Sequence, residues 1–287
     1  MKILISGINS NIGYDFVNFF KIHNKIEIAG ICRSNKRPNY KKIKIYKINL
    51  KNKIKKKIEC DALIHLASLN PNKKYKKKDF TDVNKLGFQN LLNNLINCKK
   101  IIYFSTINVY GKIDTKLVDE NYKGKKIDYY GLSKLEGEKF LMKYSRKKNI
   151  NYLILRLPGV LTKNFKGENF ITKIIQNIKN DKEIEIFNPE KKFNNIINTL
   201  TIFNIILDFF KKNKKSCIMN CASTRPVKLI KIIKGLYKNL KKKEKIKIKN
   251  KNKNKNKNSN HFLVDITKGL KNKYKFQETN KTINQYI

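Results

Sequence analysis

Tyr130, Lys134 and Thr106 are the residues of this 287-residue chain whose types and spacing can do chemistry. Asp128 offers a helix N-cap ahead of residues 132–147, which alternate apolar and charged residues at helical spacing, so Tyr130 and Lys134 fall four apart on one face. A phenol ordinarily titrates near 10, and bringing it near 7 takes about 4 kcal/mol. An ammonium about 4 Å away, at an effective dielectric of about 20, supplies about that much. Lys134 is therefore expected to make Tyr130 a general acid/base, with the Thr106 hydroxyl holding the substrate oxygen beside it. The same spacing also arises by chance on a lysine-rich helix, where Tyr130 is simply an amphipathic residue at a core edge. The elements that position these residues decide between the two.

Residues 2–6 form a short apolar run ending in Gly7, followed by Ile8-Asn9-Ser10-Asn11-Ile12-Gly13 and a helical pattern through Tyr14, Phe16, Val17 and Phe20. Strand, glycine turn and helix place backbone N–H groups and a helix N-terminus against a pyrophosphate. Ser10 stands where a fully formed loop carries a third glycine, and its Cβ limits the closest backbone approach. The second strand, residues 26–32, ends at Arg33-Ser34, twenty residues after Gly13. An acidic residue there selects NAD and an arginine accepts the 2′-phosphate of NADP, so Arg33 favours NADP.

Further strands are expected at 43–50, at 61–68, nearly all apolar as a strand buried on both faces should be, and at 100–104, leading into Ser105-Thr106. His65 reads as a satisfied core histidine, Asp79 as the cap of the helix carrying Val83, Leu86, Phe88 and Leu91, and Asn84 as a polar residue that needs a partner if buried. Strands alternating with helices indicate an α/β, Rossmann-like, doubly wound parallel sheet whose ligands lie beyond the carboxyl ends of its strands. Gly7, Arg33, Ala67 and Thr106 all fall at such ends.

The net charge of +45 does not by itself indicate a polyanion partner: 61 of the 66 basic residues are lysine, spread along the chain with Asn and Ile. All three are encoded by A/T-rich codons, whereas nucleic-acid sites cluster their charge and favour arginine. Cys32, Cys60, Cys98, Cys217 and Cys221 match no metal or disulfide spacing and read as reduced thiols of a cytoplasmic protein. No apolar run approaches a membrane span, and the N-terminal run is too short for a signal peptide.

The ordered set Ser6-Gly7 to Gly13, His65-Leu66-Ala67, Val83-Asn84, Ser105-Thr106 to Val109-Tyr110-Gly111, Tyr130-Gly131-Leu132-Ser133-Lys134 and Leu155-Arg156-Leu157-Pro158-Gly159 resembles the extended short-chain dehydrogenase/reductase family. Within it, the chain is most similar to the epimerase/dehydratase group acting on nucleotide-activated sugars. The resemblance implies Tyr130 as acid/base, Lys134 tuning it and holding the nicotinamide ribose, and Thr106 orienting the substrate oxygen. It also implies that Gly7, Ser10, Asn11, Ile12 and Gly13 line the pyrophosphate, that Leu66, Ala67 and Ser68 border the adenosine, that Pro158 lies near the nicotinamide and that Asn84 is structural close by. A cytoplasmic, dimeric enzyme of surface polysaccharide synthesis, with NADP or NAD as cofactor and no metal, is what it further implies.

Departures qualify the resemblance. Ile107 and Asn108 replace the acidic pair of the dehydratases, which disfavours water elimination. Asn198-Thr199-Leu200-Thr201 replaces a His-x-Asp-Asp-like stretch, leaving Thr201 as a cap for residues 202–210. Gly159 stands where a polar substrate contact is common. Together with Ser10, these keep open a dinucleotide-binding regulatory protein that does not turn over. A Rossmann domain over residues 1–156, joined by a late strand near 216–222, is expected, with a smaller substrate lobe over 157–287. That lobe should contain helices at 170–178 and opening at Arg225-Pro226-Val227, a strand at 184–187, and a solvated Lys/Asn run at 241–258.

Overall fold

Ile3, Leu4, Ile5, Leu63, Ile64, Ile101, Ile102, Leu153, Ile154 and Leu155 are buried on both faces of a central sheet, which is why their segments read as unbroken apolar runs. The computed structural model describes residues 1–23, 25–34, 43–71, 74–163, 169–211, 214–249 and 261–287. Its seven-stranded parallel sheet comprises β1 (Lys2–Ser6), β2 (Glu27–Cys32), β3 (Lys44–Lys47), β4 (Ala62–His65), β5 (Lys100–Thr106), β6 (Asn151–Leu157) and β7 (Cys217–Asn220). The order is β7-β6-β5-β4-β1-β2-β3. It reverses between β1 and β4, and a doubly wound sheet opens its ligand crevice at such a reversal.

Three helices border the carboxyl ends of these strands or pack beneath them. α1 (Asn11–Phe20) starts on Ser10, whose hydroxyl accepts the Gly13 N–H at 3.0 Å. α2 runs through Lys77–Phe80, a π-helical stretch Thr81–Gly87 and Phe88–Asn93. α3 (Tyr129–Lys148) is capped by Asp128, which accepts the Gly131 N–H at 2.6 Å as expected from sequence. Phe88, Leu91, Leu92 and Leu141 carry α2 and α3 into the core beside Tyr103 and Ile154.

The chain forms two compact units, both discontinuous in sequence. One holds Met1–Lys112, Lys123–Arg156 and Phe203–Met219; the other holds Ile113–Tyr122, Leu157–Ile202 and Asn220–Ile287. The second unit pairs Gly159–Leu161 with Ile196–Asn198 and Leu117–Val118 with Leu263–Val264, both parallel. Its core gathers Ile171, Ile174, Ile175 and Ile178 with Ile232, Ile233 and Leu236 from two amphipathic helices, Phe170–Lys179 and Leu229–Asn239.

Several sequence expectations are corrected. β3 stops at Lys47 and β4 at His65, where the chain turns from the sheet after Leu66 N–H reaches Ser6 O at 3.0 Å. Asp79 is not the cap of α2; it lies inside the first turn and accepts the Lys76 N–H at 3.0 Å. The wider π turn rotates the helix face, so Leu86, expected among the apolar residues, is exposed, while Asn84 is buried on the apolar side as expected. Asn198, rather than Thr201, caps the helix Thr199–Lys211 by accepting the Thr201 N–H at 2.8 Å. Arg225 adopts a left-handed conformation and Val227–Lys228 pairs with Lys192–Phe193, which delays the following helix to Leu229. Within the Lys/Asn run, Ile246–Ile248 forms a strand beside Ile184–Ile186; residues 250–258 lie outside the described residues.

Candidate active site

β1, β2, β4 and β5 end on one side of the sheet, and the sequence-identified residues gather at those ends. Gly7 has φ +74° and lies so close to the chain after β4 that a Cβ there would be 2.8 Å from Ala67 N, so a side chain is excluded by both conformation and space. Gly7 N–H donates to Ile31 O at 2.9 Å, and Ser10 N–H to Gly7 O at 2.9 Å, which closes the loop. Ser10 has φ −70° and ψ 161°, a conformation any residue adopts, so the missing third glycine costs the turn nothing. Asn11 and Ile12 are half-buried at the start of α1, while Arg33 and Ser34 are exposed at the end of β2.

The Ser6 hydroxyl hydrogen-bonds His65 Nδ1 at 2.7 Å and ties β1 to β4. His65 is buried but only half satisfied, since Nε2 has no partner among the described residues. Burial, with the Lys134 charge second, holds its pKa well below the ordinary histidine value, so it stays neutral. Leu66, Ala67 and Ser68 follow it, each half-buried.

Tyr130, Thr106 and Ser68 share one neighbourhood: burial pushes the Tyr130 phenol up to about 12, the Asp128 charge adds to this, and the Thr106 and Ser68 hydroxyls oppose it. The Thr106 hydroxyl also accepts the Asn108 N–H at 3.2 Å and pairs with Asn108 Oδ1 at 3.2 Å, which orients it at the end of β5. Lys134 shares the Tyr130 face of α3 and is only 2% exposed. Its ammonium lies 4.4 Å from the centre of the Tyr103 ring, a cation–π contact, and burial lowers its pKa to about 7 with Glu138 opposing. The expected electrostatics are thus corrected: the phenol is pushed up rather than brought down, and burial shifts both groups toward their neutral forms.

Beneath these groups lies a buried polar network. Arg156 on β6 grips Glu138 on α3 with two hydrogen bonds, Nε to Oε1 at 3.1 Å and Nη2 to Oε2 at 2.7 Å. It also donates to Tyr110 OH at 3.0 Å, and Ser105 Oγ–H donates to Glu138 Oε1. Burial works against the Arg156 charge, but the Glu138 hydrogen bonds and charge outweigh it and hold the guanidinium ionised. Asn84, buried on the π stretch, accepts the Leu69 N–H at 2.7 Å and donates to Leu69 O at 3.2 Å and Ser133 Oγ at 3.0 Å.

Residues 3–224 match the model of the NAD dependent epimerase/dehydratase family. The chain belongs to that family. It is 27% identical over 193 residues to GDP-6-deoxy-D-talose 4-dehydrogenase of Aggregatibacter actinomycetemcomitans, a match covering 66% of this chain and 63% of the relative. It is 36% identical over 106 residues to a putative UDP-glucose 4-epimerase of Methanocaldococcus jannaschii, covering 33% of this chain and 35% of the relative. The matched stretches thus span less than two thirds of these relatives. Among solved structures, the Bacillus cereus UDP-glucuronic acid 4-epimerase with NAD aligns at TM-score 0.77 and 19% identity, over 100% of this chain and 96% of that one. The Thermotoga maritima UDP-glucose 4-epimerase aligns at 0.79 and 18%, over 100% and 98%. These structures share this fold.

The donor chemistry of this epimerase/dehydratase-family chain fits a dinucleotide: a close-packed glycine loop runs into the N-terminus of α1, and Arg33 and Ser34 stand at the end of the adjacent strand. Pro158 directly follows β6 and clusters with the second unit. That unit also carries a cleft of about 270 Å³, where Phe187, Phe193 and Phe262 give aromatic surface, Asn188 and Asn195 give amides and Lys191 a cation.

Sequence reasoning overlooked Glu138 and Tyr103 as parts of the site, and named Ser105 only as part of the Ser105-Thr106 strand end. Glu138 left a usable signal, since four residues after Lys134 it shares the buried face of a helix otherwise rich in exposed charge. Tyr103 and the cleft left none, because each depends on segments distant in sequence. Among the described residues no group of three or more His, Cys, Asp or Glu side chains could hold a metal ion. No described helix is long and apolar enough to cross a membrane.

Proposed function

We propose that this chain is an NAD(P)-dependent oxidoreductase or epimerase of a nucleotide-activated sugar, with Tyr130 exchanging the proton and Thr106 holding the sugar oxygen. The closeness of the first turn of α3, which bears Tyr130, to the end of β5, which bears Thr106, carries this reading: a Cβ on Gly131 would lie 2.3 Å from Asn108 O. A bound nicotinamide supplies the hydride acceptor and donor. Gly7, Ser10, Asn11, Ile12 and Gly13 take the pyrophosphate side, Leu66, Ala67 and Ser68 the adenosine side, and Pro158 the nicotinamide side. Arg33 supports NADP, since a guanidinium beside the ribose pairs with a 2′-phosphate.

At neutral pH a phenol near 12 is protonated and suits proton delivery to a keto oxygen. Removing a proton from a sugar hydroxyl requires the Lys134 charge near that phenol, and Lys134 titrates near neutrality. Asn108 in place of a carboxylate supports epimerisation or keto reduction over dehydration. Within the second unit, the cleft has the chemistry of a nucleotide site, because a base stacks on Phe surfaces and Lys191 attracts a diphosphate. The reading extends to a cytoplasmic homodimer serving surface polysaccharide synthesis.

The test is to incubate the protein with a panel of UDP-, GDP- and dTDP-sugars and each cofactor, following absorbance and product stereochemistry, with Tyr130→Phe as control. Turnover that the substitution abolishes supports the reading. Undiminished turnover in Tyr130→Phe sinks it, and cofactor binding with no turnover across the panel favours a regulatory dinucleotide-binding protein.

A further inference from the structure

Glu138 joins the Tyr130–Lys134 helix to two strands of the sheet, through Ser105 on β5 and Arg156 on β6. It lies on α3 four residues after Lys134 and eight after Tyr130, on the face all three share, and is 1% exposed. Its Oε1 accepts Ser105 Oγ–H, from the residue immediately before Thr106, as well as Arg156 Nε. Its Oε2 accepts Arg156 Nη2 from β6, and Arg156 is in turn fixed by Tyr110 OH and lies 5.0 Å over the Tyr110 ring. One carboxylate thus links α3, β5, β6 and the short helix Ile107–Tyr110.

We propose that Glu138 is a positioning residue for the Tyr130–Lys134 pair, a buried carboxylate that anchors the Ser105–Thr106 strand end and keeps the Lys134 side chain charged. This rests on the reading of Tyr130 and Lys134 given above. The groups facing the Lys134 ammonium bear out the need for a counter-charge. From β5 comes the Tyr103 ring, whose own ionisation burial pushes well above the ordinary phenol value. From β4 comes neutral His65, stacked on Tyr103 at 5.7 Å with the rings nearly parallel. Of the neighbouring elements, β6 carries the cation Arg156, the Ile107–Tyr110 helix carries Tyr110, and α3 itself carries Tyr130. From α2, Asn84 contributes an uncharged amide, and Lys85 is turned to Glu136 on the exposed side at 3.2 Å. Among the described residues Glu138 is the buried carboxylate whose charge acts on Lys134, and burial without it favours the neutral amine.

The test reads the charge of Lys134 directly in the full-length protein. The side-chain ¹⁵N resonance that disappears in Lys134→Arg is followed through a pH titration, without substrate, in wild type, in Glu138→Asp, in Arg156→Gln and in the double variant Glu138→Gln, Arg156→Gln. Removing both charges of a buried pair generally leaves a protein folded, whereas removing one strands the other. The expected midpoint lies near 7 in wild type and in Glu138→Asp, and lower in the double variant than in Arg156→Gln, which loses the same cation but keeps the carboxylate. A carboxylate that only braces the fold gives the opposite sign, because loosening admits water and raises the midpoint toward the ordinary lysine value. A double-variant midpoint at or above that of Arg156→Gln overturns the proposal. If the double variant or Arg156→Gln fails to fold by circular dichroism, Glu138→Asp carries the test: its carboxylate keeps the midpoint near 7, and a midpoint raised toward the ordinary lysine value overturns the proposal. Turnover of UDP-glucose, UDP-glucuronate and dTDP-glucose by wild type and Tyr130→Phe runs in parallel. Turnover surviving in Tyr130→Phe defeats the Tyr130 reading, whereas an unmoved midpoint with Tyr130→Phe inert defeats the Glu138 assignment alone.

Discussion

Asn84 Nδ2 donates to Ser133 Oγ at 3.0 Å, and Ser133 Oγ–H passes the connection on to Tyr130 O at 2.7 Å. A single buried amide on a π turn therefore ties the loop after β4, through Leu69, to the first turn of the helix bearing Tyr130 and Lys134. Extra-wide turns of this kind tend to mark functional sites. Asn84→Ala strands the Leu69 N–H and C=O and should cost about 1–3 kcal/mol in urea unfolding. Ser133→Ala removes less and should cost about 1 kcal/mol. An equal or reversed order would show that the link to Leu69 is not what Asn84 contributes.

Tyr130→Phe deletes one hydroxyl and keeps the ring that packs 6.1 Å from Phe80. Under the proposed function, kcat falls by about 10²- to 10⁴-fold, the range of a lost acid/base group, with little change in thermal midpoint. Thr106→Val should lose activity in the same direction, and Thr106→Ser should retain most of it. Steady-state kinetics of the three variants check the order.

Lys134 makes stability depend on pH in a definite direction. Its ordinary value of 10.5 lies above the folded value of about 7, so the unfolded chain holds one more proton across that interval. Stability from this group therefore rises with pH from about 7 to 10.5, and the cost of burying the ammonium is full below about 7. Lys134→Met removes a cost of about 5 kcal/mol at most, so its advantage over wild type should be greatest below neutrality and shrink above it. Urea unfolding of both proteins across that range tests the slope, and a difference independent of pH would refute it.

Gly137 lies against the tyrosine beneath Lys134: a Cβ there would be 2.2 Å from Tyr103 OH. Gly137→Ala should destabilise by about 1–3 kcal/mol as Tyr103 is forced aside. Tyr103→Phe, which removes the clashing oxygen, should recover part of that loss in the double variant. No recovery would place the strain elsewhere.

Arg33 is exposed at the end of β2, and Arg33→Ala should raise the Michaelis constant for NADP about tenfold while leaving that for NAD nearly unchanged. A clear preference of the wild type for NAD would remove Arg33 from the cofactor site.

The strand ends were legible in sequence because a buried parallel strand writes itself as a short apolar run and its carboxyl end as the first small or polar residues after it. Gly7, Ala67 and Thr106 were found that way. The helix of Tyr130 was legible through its Asp128 cap. What escaped depends on three-dimensional burial. The ammonium was expected to bring the phenol down, yet Tyr103 lies under the ammonium and desolvation dominates both groups. Asn84 was read on the apolar side and is buried with its partners, whereas Leu86, read on the same side, is exposed on a π turn that a 3.6-residue period does not register. Thr201 looked like a cap by residue type, but Asn198, three residues earlier, presents its carbonyl oxygen to the first turn.

The outermost strand of the sheet, β7, is made of residues 217–220, although its neighbour β6 is complete by residue 157. Between them the chain leaves to build much of the second unit. During synthesis, β6 must therefore wait as a bare margin of backbone donors and acceptors until some sixty further residues have emerged. A fragment truncated at residue 156 never receives that covering strand. It should associate edge to edge on expression, whereas the same fragment supplied in trans with residues 203–220 should stay dispersed in gel filtration.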